Sequence, residues 1–331
     1  MHQTDCVIGI DGGGSFTRVA VVDLQGNVLS YSEHGASSIH KDAQATSNVR
    51  EGIAAALAKA DRDASDVKAL VAGIAGYDSE NDLPWVEELT ALPGIACPRG
   101  HVNDAVIAHA GAFQTKPGIV VISGTGSIIL AVTEDGRHIR NYDMHHYAAS
   151  AARFLSYDLV YELLAGYGGP SDTDLVRQTL DYWRVADMKE LRDLALTGFS
   201  DDRRDRNALF GRMAPIVTTA ACEGSELARS VCDRKVHEIT VGARMLGACF
   251  AEEHVSVACI GSVINSAYMK QKFSEACAAP GDGKRYVLAE PILSPVSGAV
   301  MMAYNRMGID WEETTIHNLL KHPCSVSGSA T

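Results

Sequence analysis

The chain has 331 residues, a formal net charge of −12 and a hydrophobic fraction of 46%. The acidic excess argues against a nucleic-acid partner or an anionic membrane surface, and no apolar run reaches the ~18–20 residues needed to cross a bilayer. The length predicts roughly two domains, because single cores tend to divide beyond about 250–300 residues.

The first third of the chain alternates strand-like and helix-like segments. Apolar patterning predicts strands over residues 7–10, 18–23, 27–33 and 69–72, and helices over residues 46–61, 82–92 and 104–113. This alternation is typical of an α/β domain. We expect a first domain over residues 1–116.

The same pattern then restarts. A strand is predicted over residues 118–122 and another over 128–133, followed by the hairpin signal Glu134-Asp135-Gly136. The segments 8–26 and 120–136 open alike, which predicts two domains of one fold facing a common cleft. The second domain is expected over residues 117–294 with a helical insertion over 151–251, and a helix over 295–308 is expected to return to the first domain.

The eight cysteines are scattered and form no C-x-x-C pair. This pattern predicts free, buried thiols in a reducing compartment, without disulfides. The residues before the first strand also lack the basic start and the longer apolar run of a signal peptide. A cytoplasmic location is expected.

The first glycine-rich turn follows the first predicted strand and reads Asp11-Gly12-Gly13-Gly14-Ser15-Phe16-Thr17. Glycines permit positive φ and a close backbone approach. The amides of Gly12, Gly13 and Gly14 and the hydroxyls of Ser15 and Thr17 could donate to phosphate oxygens, and Asp11 could hold a hydrated Mg²⁺. The alternative is a glycine-rich hairpin turn without a ligand.

A second glycine-rich turn, Ser123-Gly124-Thr125-Gly126-Ser127, has the same chemistry and again separates two strands. One such turn alone would be weaker evidence of a phosphate-binding site than two. Because the two turns open two similar halves, they predict a nucleotide held from both sides of the cleft.

Two further segments end strands. In Val102-Asn103-Asp104-Ala105, the positive end of the following helix is expected to keep Asp104 ionised and able to accept a proton from a substrate hydroxyl; the alternative is a plain N-cap. In Gly261-Ser262-Val263, a small turn could pack against an adenine or ribose, and the alternative is an ordinary strand-to-helix turn.

These four segments, in this order, resemble the BadF/BadG/BcrA/BcrD ATPase family, and within it the N-acetylglucosamine and glucosamine kinases. Residues 73–76 and 295–299 add to the resemblance. It implies two actin-like (ribonuclease H-like) α/β domains with an interdomain cleft that binds ATP and Mg²⁺. It also implies phosphate contacts at both glycine turns, adenosine contacts at Gly261 and Ser262, and a catalytic role for Asp104.

The resemblance also implies a sugar-binding set. Its members come from the loop after the third strand, the Asp104 segment, the second glycine turn and the stretch that follows it: Ser38, His40, Asn103, Asp104, Thr125 and His145. For His40 the alternative is a solvated loop residue.

Three departures from the family pattern are visible. The family's basic residue after the first-turn hydroxyl is Phe16 here. The acidic pair of the amino-sugar kinases falls on Ala149 and Ser150, and their tryptophan is missing. The run 148–155 is similar to the activators of 2-hydroxyacyl-CoA dehydratases, but Tyr147 stands where their cluster-binding cysteine would be, which predicts no iron–sulfur cluster.

The sequence therefore predicts an ATP-dependent kinase acting on a hydroxyl of a small sugar, with an amino sugar such as N-acetylglucosamine or glucosamine as acceptor. We expect no nucleic-acid or membrane partner, and the resemblance allows a homodimer. Two alternatives stay open: an ATPase switch of the BadF type without an iron–sulfur cluster, and a catalytically silent sugar or nucleotide sensor.

Overall fold

The computed structural model describes residues 4–281 and 283–326. They form two compact units. The first contains the chain up to Val120 together with the part from Glu290 onward, and the second is Val121–Ala289. Each unit is an α/β structure built on its own five-stranded sheet.

The sheet of the first unit has the strand order β3-β2-β1-β4-β5. Strand β1 pairs antiparallel with β2 and parallel with β4, which pairs parallel with β5. Every residue of β1 is buried, as expected for a central strand covered on both faces. The strands are β1 (Cys6–Gly12), β2 (Thr17–Asp23), β3 (Val28–His34), β4 (Val67–Ile74) and β5 (Arg99–Asn103).

Helices cover both faces of this sheet. The side chains of β1 alternate between two apolar clusters: Ile8 and Ile10 pack with the helices of one face, and Val7 packs with those of the other. One face carries α1 (Ala45–Lys59) and α2 (Leu83–Leu89), and the other carries α3 (Asp104–Phe113), α10 (Pro295–Arg306) and α11 (Glu313–Leu320). Because β1, β4 and β5 are parallel, their carboxyl ends meet at one edge of the sheet.

The sheet of the second unit has the order β10-β9-β6-β7-β8. Read from β8, this is the strand order of the first unit, which confirms the predicted repeat of one fold. The hairpin predicted after β7 is also present, with Gly136 at a φ of +79°. The strands are β6 (Gly118–Ser123), β7 (Ser127–Val132), β8 (His138–Arg140), β9 (His254–Ile260) and β10 (Arg285–Leu288).

The predicted helical insertion lies between β8 and β9. Its helices break near residues 165–172 and 197–202, as the glycine-containing segments there indicated. The helices of this unit are α4 (Ala152–Leu164), α5 (Thr173–Trp183), α6 (Met188–Leu196), α7 (Arg203–Glu223), α8 (Glu226–Gly247) and, after β9, α9 (Ala267–Ala278). In the described part of the chain, no helix combines the length and apolarity that crossing a membrane requires.

Candidate functional site

The first glycine turn joins β1 to β2 at the carboxyl end of β1. The backbone N–H of Gly13 donates to the carbonyl of Phe16 at 2.8 Å, and the carbonyl of Gly12 accepts from the N–H of Ala75 at 2.8 Å. The turn is therefore fixed to the residues that follow β4. Gly14 is half-buried and Ser15 is exposed at the tip of the turn, where a backbone amide and a hydroxyl can reach an anion.

The prediction that the hydroxyl of Thr17 donates to a phosphate oxygen is wrong. The side chain of Thr17 is fully buried and its hydroxyl donates to the carbonyl of Gly35 at 2.8 Å. It therefore ties β2 to the loop after β3 and has no surface left for a phosphate oxygen.

The loop after β3 lies against the first glycine turn. The backbone N–H and the hydroxyl of Ser37 both donate to the carbonyl of Gly13 at 3.2 Å. Ser38 is buried, whereas His40 is exposed and meets the ring of Trp85 edge-on, with ring centroids 5.9 Å apart. Two of the predicted sugar-binding residues thus share the loop that touches the turn.

The turn after β4 connects this loop to the end of β5. A Cβ placed on Gly76 would lie 3.6 Å from both the Ser38 hydroxyl and the His40 ring. The side-chain amide of Asn103 donates to the carbonyl of Tyr77 and to Oδ1 of Asp78, each at 3.1 Å. Asn103 therefore braces this turn.

Asn103 also caps α3, because its Oδ1 accepts from the N–H of Ala105 at 2.9 Å. Both amide protons and the amide oxygen of Asn103 thus have protein partners, so the structure gives this residue a bracing role in place of the predicted substrate contact. Asp104 is the first residue of α3. The alternative that Asp104 is only the N-cap is therefore wrong.

The ionisation of Asp104 also differs from the sequence-based expectation. Burial and the neighbouring charge of Asp11 raise its pKa to about 7, and a smaller contribution from Asp78 acts in the same direction. The amide of Ala105 and the charge of Lys41 lower the pKa but do not offset the burial. The helix terminus alone does not keep this carboxylate ionised, because loss of solvent opposes the charged form more strongly. A base with a pKa near 7 is well suited to proton transfer at neutral pH.

This pKa predicts a pH dependence. A general base acts as the carboxylate, so activity should be present above the pKa and fall about tenfold per pH unit below it. We expect kcat/KM to bend near pH 7. In Asp78→Asn, which keeps an acceptor oxygen for Asn103 but loses one negative charge, the bend should move to lower pH. A wild-type bend near pH 4, where an ordinary aspartate titrates, would contradict this role for Asp104.

Asp11 lies at the end of β1 and is almost completely buried. Its Oδ2 accepts from Nη1 of Arg18 at 3.3 Å, and Nε of Arg18 donates to Glu33 at 2.9 Å. Burial raises the pKa of Asp11, and the charge of Arg18 lowers it. Mg²⁺ in phosphate sites is typically held by one or two carboxylates plus phosphate oxygens and water. Asp11, whose charge repels that of Asp104, fits that limited donor set.

The second glycine turn joins β6 to β7 in the second unit. The N–H of Gly124 donates to the carbonyl of Gly126 at 2.9 Å, and the carbonyl of Gly124 accepts from the N–H of Ala152 at the start of α4. Thr125 and Gly126 are exposed at the tip, and Nη1 of Arg153 donates to the carbonyl of Thr125 at 3.3 Å. The tip is thus the part of this turn that a ligand can reach.

The two serines that flank this turn, Ser123 and Ser127, were predicted to bind phosphate, but their hydroxyls have other partners. Ser123 is fully buried, and its hydroxyl donates to the carbonyl of Ser150 at 2.6 Å. The hydroxyl of Ser127 donates to the carbonyl of Ala148 at 2.9 Å. Both hydroxyl protons therefore fasten the turn to the segment before α4.

The segment predicted to contact adenosine packs directly against this turn. Gly261 has a φ of +105°, and a Cβ added there would overlap the carbonyl oxygen of Ser123 and lie 2.7 Å from its carbonyl carbon. The N–H groups of Val263 and Ile264 donate to the same carbonyl at 3.1 and 3.2 Å. The structure thus brings Gly261 and Ser262 together with the second glycine turn.

His145 lies in the stretch that follows β8. It is exposed, has a left-handed backbone with a φ of +54°, and donates its N–H to the carbonyl of Tyr142. Further along, Oε2 of Glu238 on α8 accepts from the N–H of Ala149 at 3.0 Å. The loop therefore has a carboxylate beside it although its own positions 149 and 150 carry none.

Some charged residues of the site were not predicted from the sequence. Arg18, Lys41, Asp78 and Arg153 all lie at the two turns or beside Asp104. Arg18 directly follows the first turn in the sequence, so its place near the turn could have been predicted. Lys41 is far from the turn in sequence, and only the fold of the loop brings it there.

Sequence comparisons agree with the motifs. Residues 8–165 match the model of the BadF/BadG/BcrA/BcrD ATPase family. An N-acetylmuramic acid/N-acetylglucosamine kinase of Clostridium acetobutylicum is 35% identical over 142 residues, which are 42% of this chain and 46% of the relative. An N-acetyl-D-glucosamine kinase of Dictyostelium discoideum is 32% identical over 140 residues, 39% of this chain and 44% of the relative. The match thus spans less than half the length of either relative.

Solved structures show the same fold over most of the chain. A Chromobacterium violaceum protein named provisionally as an N-acetylglucosamine kinase is 25% identical, with a TM-score of 0.69 over 90% of this chain and 99% of that one. A ROK family glucokinase of Streptomyces griseus, solved with glucose and AMPPNP, is 18% identical with a TM-score of 0.56 over 92% of this chain and 100% of that one. The two-domain α/β fold of the actin-like sugar kinases is thereby confirmed. The stretch that matches the BadF/BadG/BcrA/BcrD ATPase family model, residues 8–165, holds both glycine turns and Asp104.

Proposed function

We propose that this protein is an ATP-dependent kinase that phosphorylates a hydroxyl of a small sugar, with an amino sugar such as N-acetylglucosamine or glucosamine as the acceptor. The proposal rests mainly on one observation: the first glycine turn and Asp104 lie at the same edge of the first sheet, where the parallel strands β1 and β5 end. A glycine turn with an accessible tip, beside a carboxylate with a pKa near 7, supports phosphoryl transfer to a hydroxyl, which needs phosphate contacts and a group that accepts the hydroxyl proton.

In the proposed reaction, Asp104 accepts the proton of the sugar hydroxyl as its oxygen attacks the γ-phosphorus. The backbone amide of Gly14 and the hydroxyl of Ser15 hold phosphate oxygens in the first unit, whereas the predicted contact of the Gly13 amide is dropped because that N–H donates to the carbonyl of Phe16. Such transfer is catalysed mainly by positioning and by stabilising charge on the phosphoryl group. Mg²⁺, held through Asp11, would neutralise charge on the phosphates.

In the second unit, the exposed tip at Thr125 and Gly126 is proposed to supply further phosphate contacts. Gly261 and Ser262, which pack against this turn, are proposed to face the adenosine. Ser38, His40, Thr125 and His145 remain proposed contacts of the sugar. In the two turns, this division leaves out the hydroxyls of Thr17, Ser123 and Ser127, which donate to backbone carbonyls.

The choice of an amino sugar rests on the curated relatives, whose names specify N-acetylglucosamine and, in one case, N-acetylmuramic acid. The range matched by the family model, residues 8–165, includes the first turn and the Asp104 segment. A cytoplasmic location, where ATP and Mg²⁺ are available, fits this reaction, and a homodimer is proposed by analogy with the kinases of the family.

A turnover experiment separates the candidate functions. ADP release should be measured with Mg²⁺-ATP and a panel of hexoses, N-acetylhexosamines and glucosamine. A kinase should release ADP only when one of these acceptors is added. ADP release that is the same with and without every sugar would favour an ATPase switch, and ATP binding without any release would favour a sensor.

A further inference from the structure

The side chain of Lys41 lies across the first glycine turn. A Cβ placed on Gly14 would overlap Nζ of Lys41 and would lie 3.0 Å from its Cδ and 3.1 Å from its Cε. The lysine stem therefore occupies the space that the missing side chain of Gly14 leaves. Its ammonium group lies over the turn that holds phosphate oxygens in the proposed function.

The loop that carries Lys41 is held in this position by several contacts. Two hydrogen bonds from Ser37 to the carbonyl of Gly13 join the loop to the turn. The N–H of Lys41 donates to the carbonyl of Ser38 at 2.9 Å, and Nδ2 of Asn48 on α1 donates to Oδ2 of Asp42 at 2.9 Å. The placement of Lys41 over Gly14 is therefore built into the fold of the loop.

Lys41 brings a positive charge to the first glycine turn. Within the turn, Phe16 is uncharged and half-exposed. The next residue but one, Arg18, is committed to the carboxylates of Asp11 and Glu33. Lys41 is exposed, and its positive charge makes a small contribution that opposes the raised pKa of Asp104. The ammonium group therefore lies at the turn, and its charge acts in the direction that favours an ionised Asp104.

From this geometry we infer that the ammonium group of Lys41 binds the β- and γ-phosphate oxygens of ATP at the first glycine turn. The inference rests on the proposed function. During transfer, the acceptor oxygen forms a bond to the γ-phosphorus and the bond from that phosphorus to the β,γ-bridging oxygen breaks. The hydroxyl proton passes to Asp104, ADP leaves, and Lys41 stabilises the negative charge on the phosphate oxygens throughout.

Three variants test the inference. Lys41→Met keeps a flexible apolar stem over Gly14 but removes the charge, and Lys41→Arg restores a cation. Lys59→Met removes one positive charge from the end of α1 in the same unit and serves as the matched control. Circular dichroism and thermal melting check that each variant folds like the wild type.

The measurement is calorimetric titration with Mg²⁺-ATP at two salt concentrations, together with steady-state kinetics where an acceptor is found. A hydrogen bond to a charged group is worth enough to predict about a 10- to 100-fold loss of ATP affinity in Lys41→Met. Lys41→Arg and Lys59→Met should stay within a few-fold of the wild type. The affinity of Lys41→Met should also depend less on salt, since one charge contact is gone.

The outcomes separate this inference from the proposed function. A folded Lys41→Met protein with wild-type ATP affinity and salt dependence would overturn the inference, even if the wild type phosphorylates a sugar. A wild type that binds no Mg²⁺-ATP would overturn it as well. Selective loss of ATP affinity in Lys41→Met would support it even if no sugar is phosphorylated, an outcome that would count against the kinase alone.

Discussion

Asp104→Asn should lower sugar-dependent turnover by roughly 10²–10⁴, the usual contribution of a general base, while leaving ATP affinity near the wild-type value. The amide cannot accept the hydroxyl proton, but it has almost the same shape as the carboxylate. The helix should be unaffected, because the cap of α3 is the side chain of Asn103. Steady-state kinetics and ATP titration on the same preparation give both quantities.

Glu51→Gln is the matched control for Asp104→Asn. Glu51 is exposed on α1 in the same unit, so this change also replaces one carboxylate by an amide. It should leave turnover unchanged. If Asp104→Asn retains more than about half of wild-type turnover, Asp104 is not the base, and the switch and sensor alternatives become the better accounts.

Gly261→Ala should lower the free energy of unfolding by at least ~2 kcal/mol and abolish ATP binding. A non-glycine residue at a φ of +105° is strained, at a cost of order 1–3 kcal/mol. The new methyl group would in addition overlap the backbone carbonyl of Ser123, which cannot rotate away as a side chain could. The relief of that overlap must move the second glycine turn. Chemical denaturation and ATP titration measure the two effects.

Gly136→Ala separates strain from overlap. Gly136 has a φ of +79° in the hairpin after β7, but nothing lies within 4 Å of a Cβ placed there. This variant should lose only the strain contribution and should bind ATP like the wild type. Equal effects of the two substitutions would show that the contact between Gly261 and Ser123 does not matter for the nucleotide.

The sequence was sufficient to predict the fold class, the repeat and the turns, because these depend on local patterns. Alternating apolar runs identify the strands of an α/β unit, and glycines between two strands mark a turn whatever surrounds it. The position of Asp104 at the start of α3 was predicted for the same reason, since a strand that ends in polar residues before an apolar helix is a local signal.

The roles of individual side chains depended on tertiary contacts that no local pattern shows. Thr17 and Ser123 have the residue type of phosphate ligands, but each is buried and donates to a carbonyl distant in sequence. The helix terminus predicted an ionised Asp104, whereas burial and the nearby charge of Asp11 raise its pKa to about 7. Lys41 reaches Gly14 only because its loop folds back onto the first turn.

The most direct measurement of the central claim is the transfer itself. Phosphorus NMR of a reaction containing the protein, Mg²⁺-ATP and N-acetylglucosamine or glucosamine should show ADP and a sugar phosphomonoester appearing at equal rates, and neither should form at a comparable rate with Asp104→Asn. Appearance of ADP with inorganic phosphate and no phosphomonoester, with these acceptors and with the wider hexose panel, would contradict the assignment as a sugar kinase.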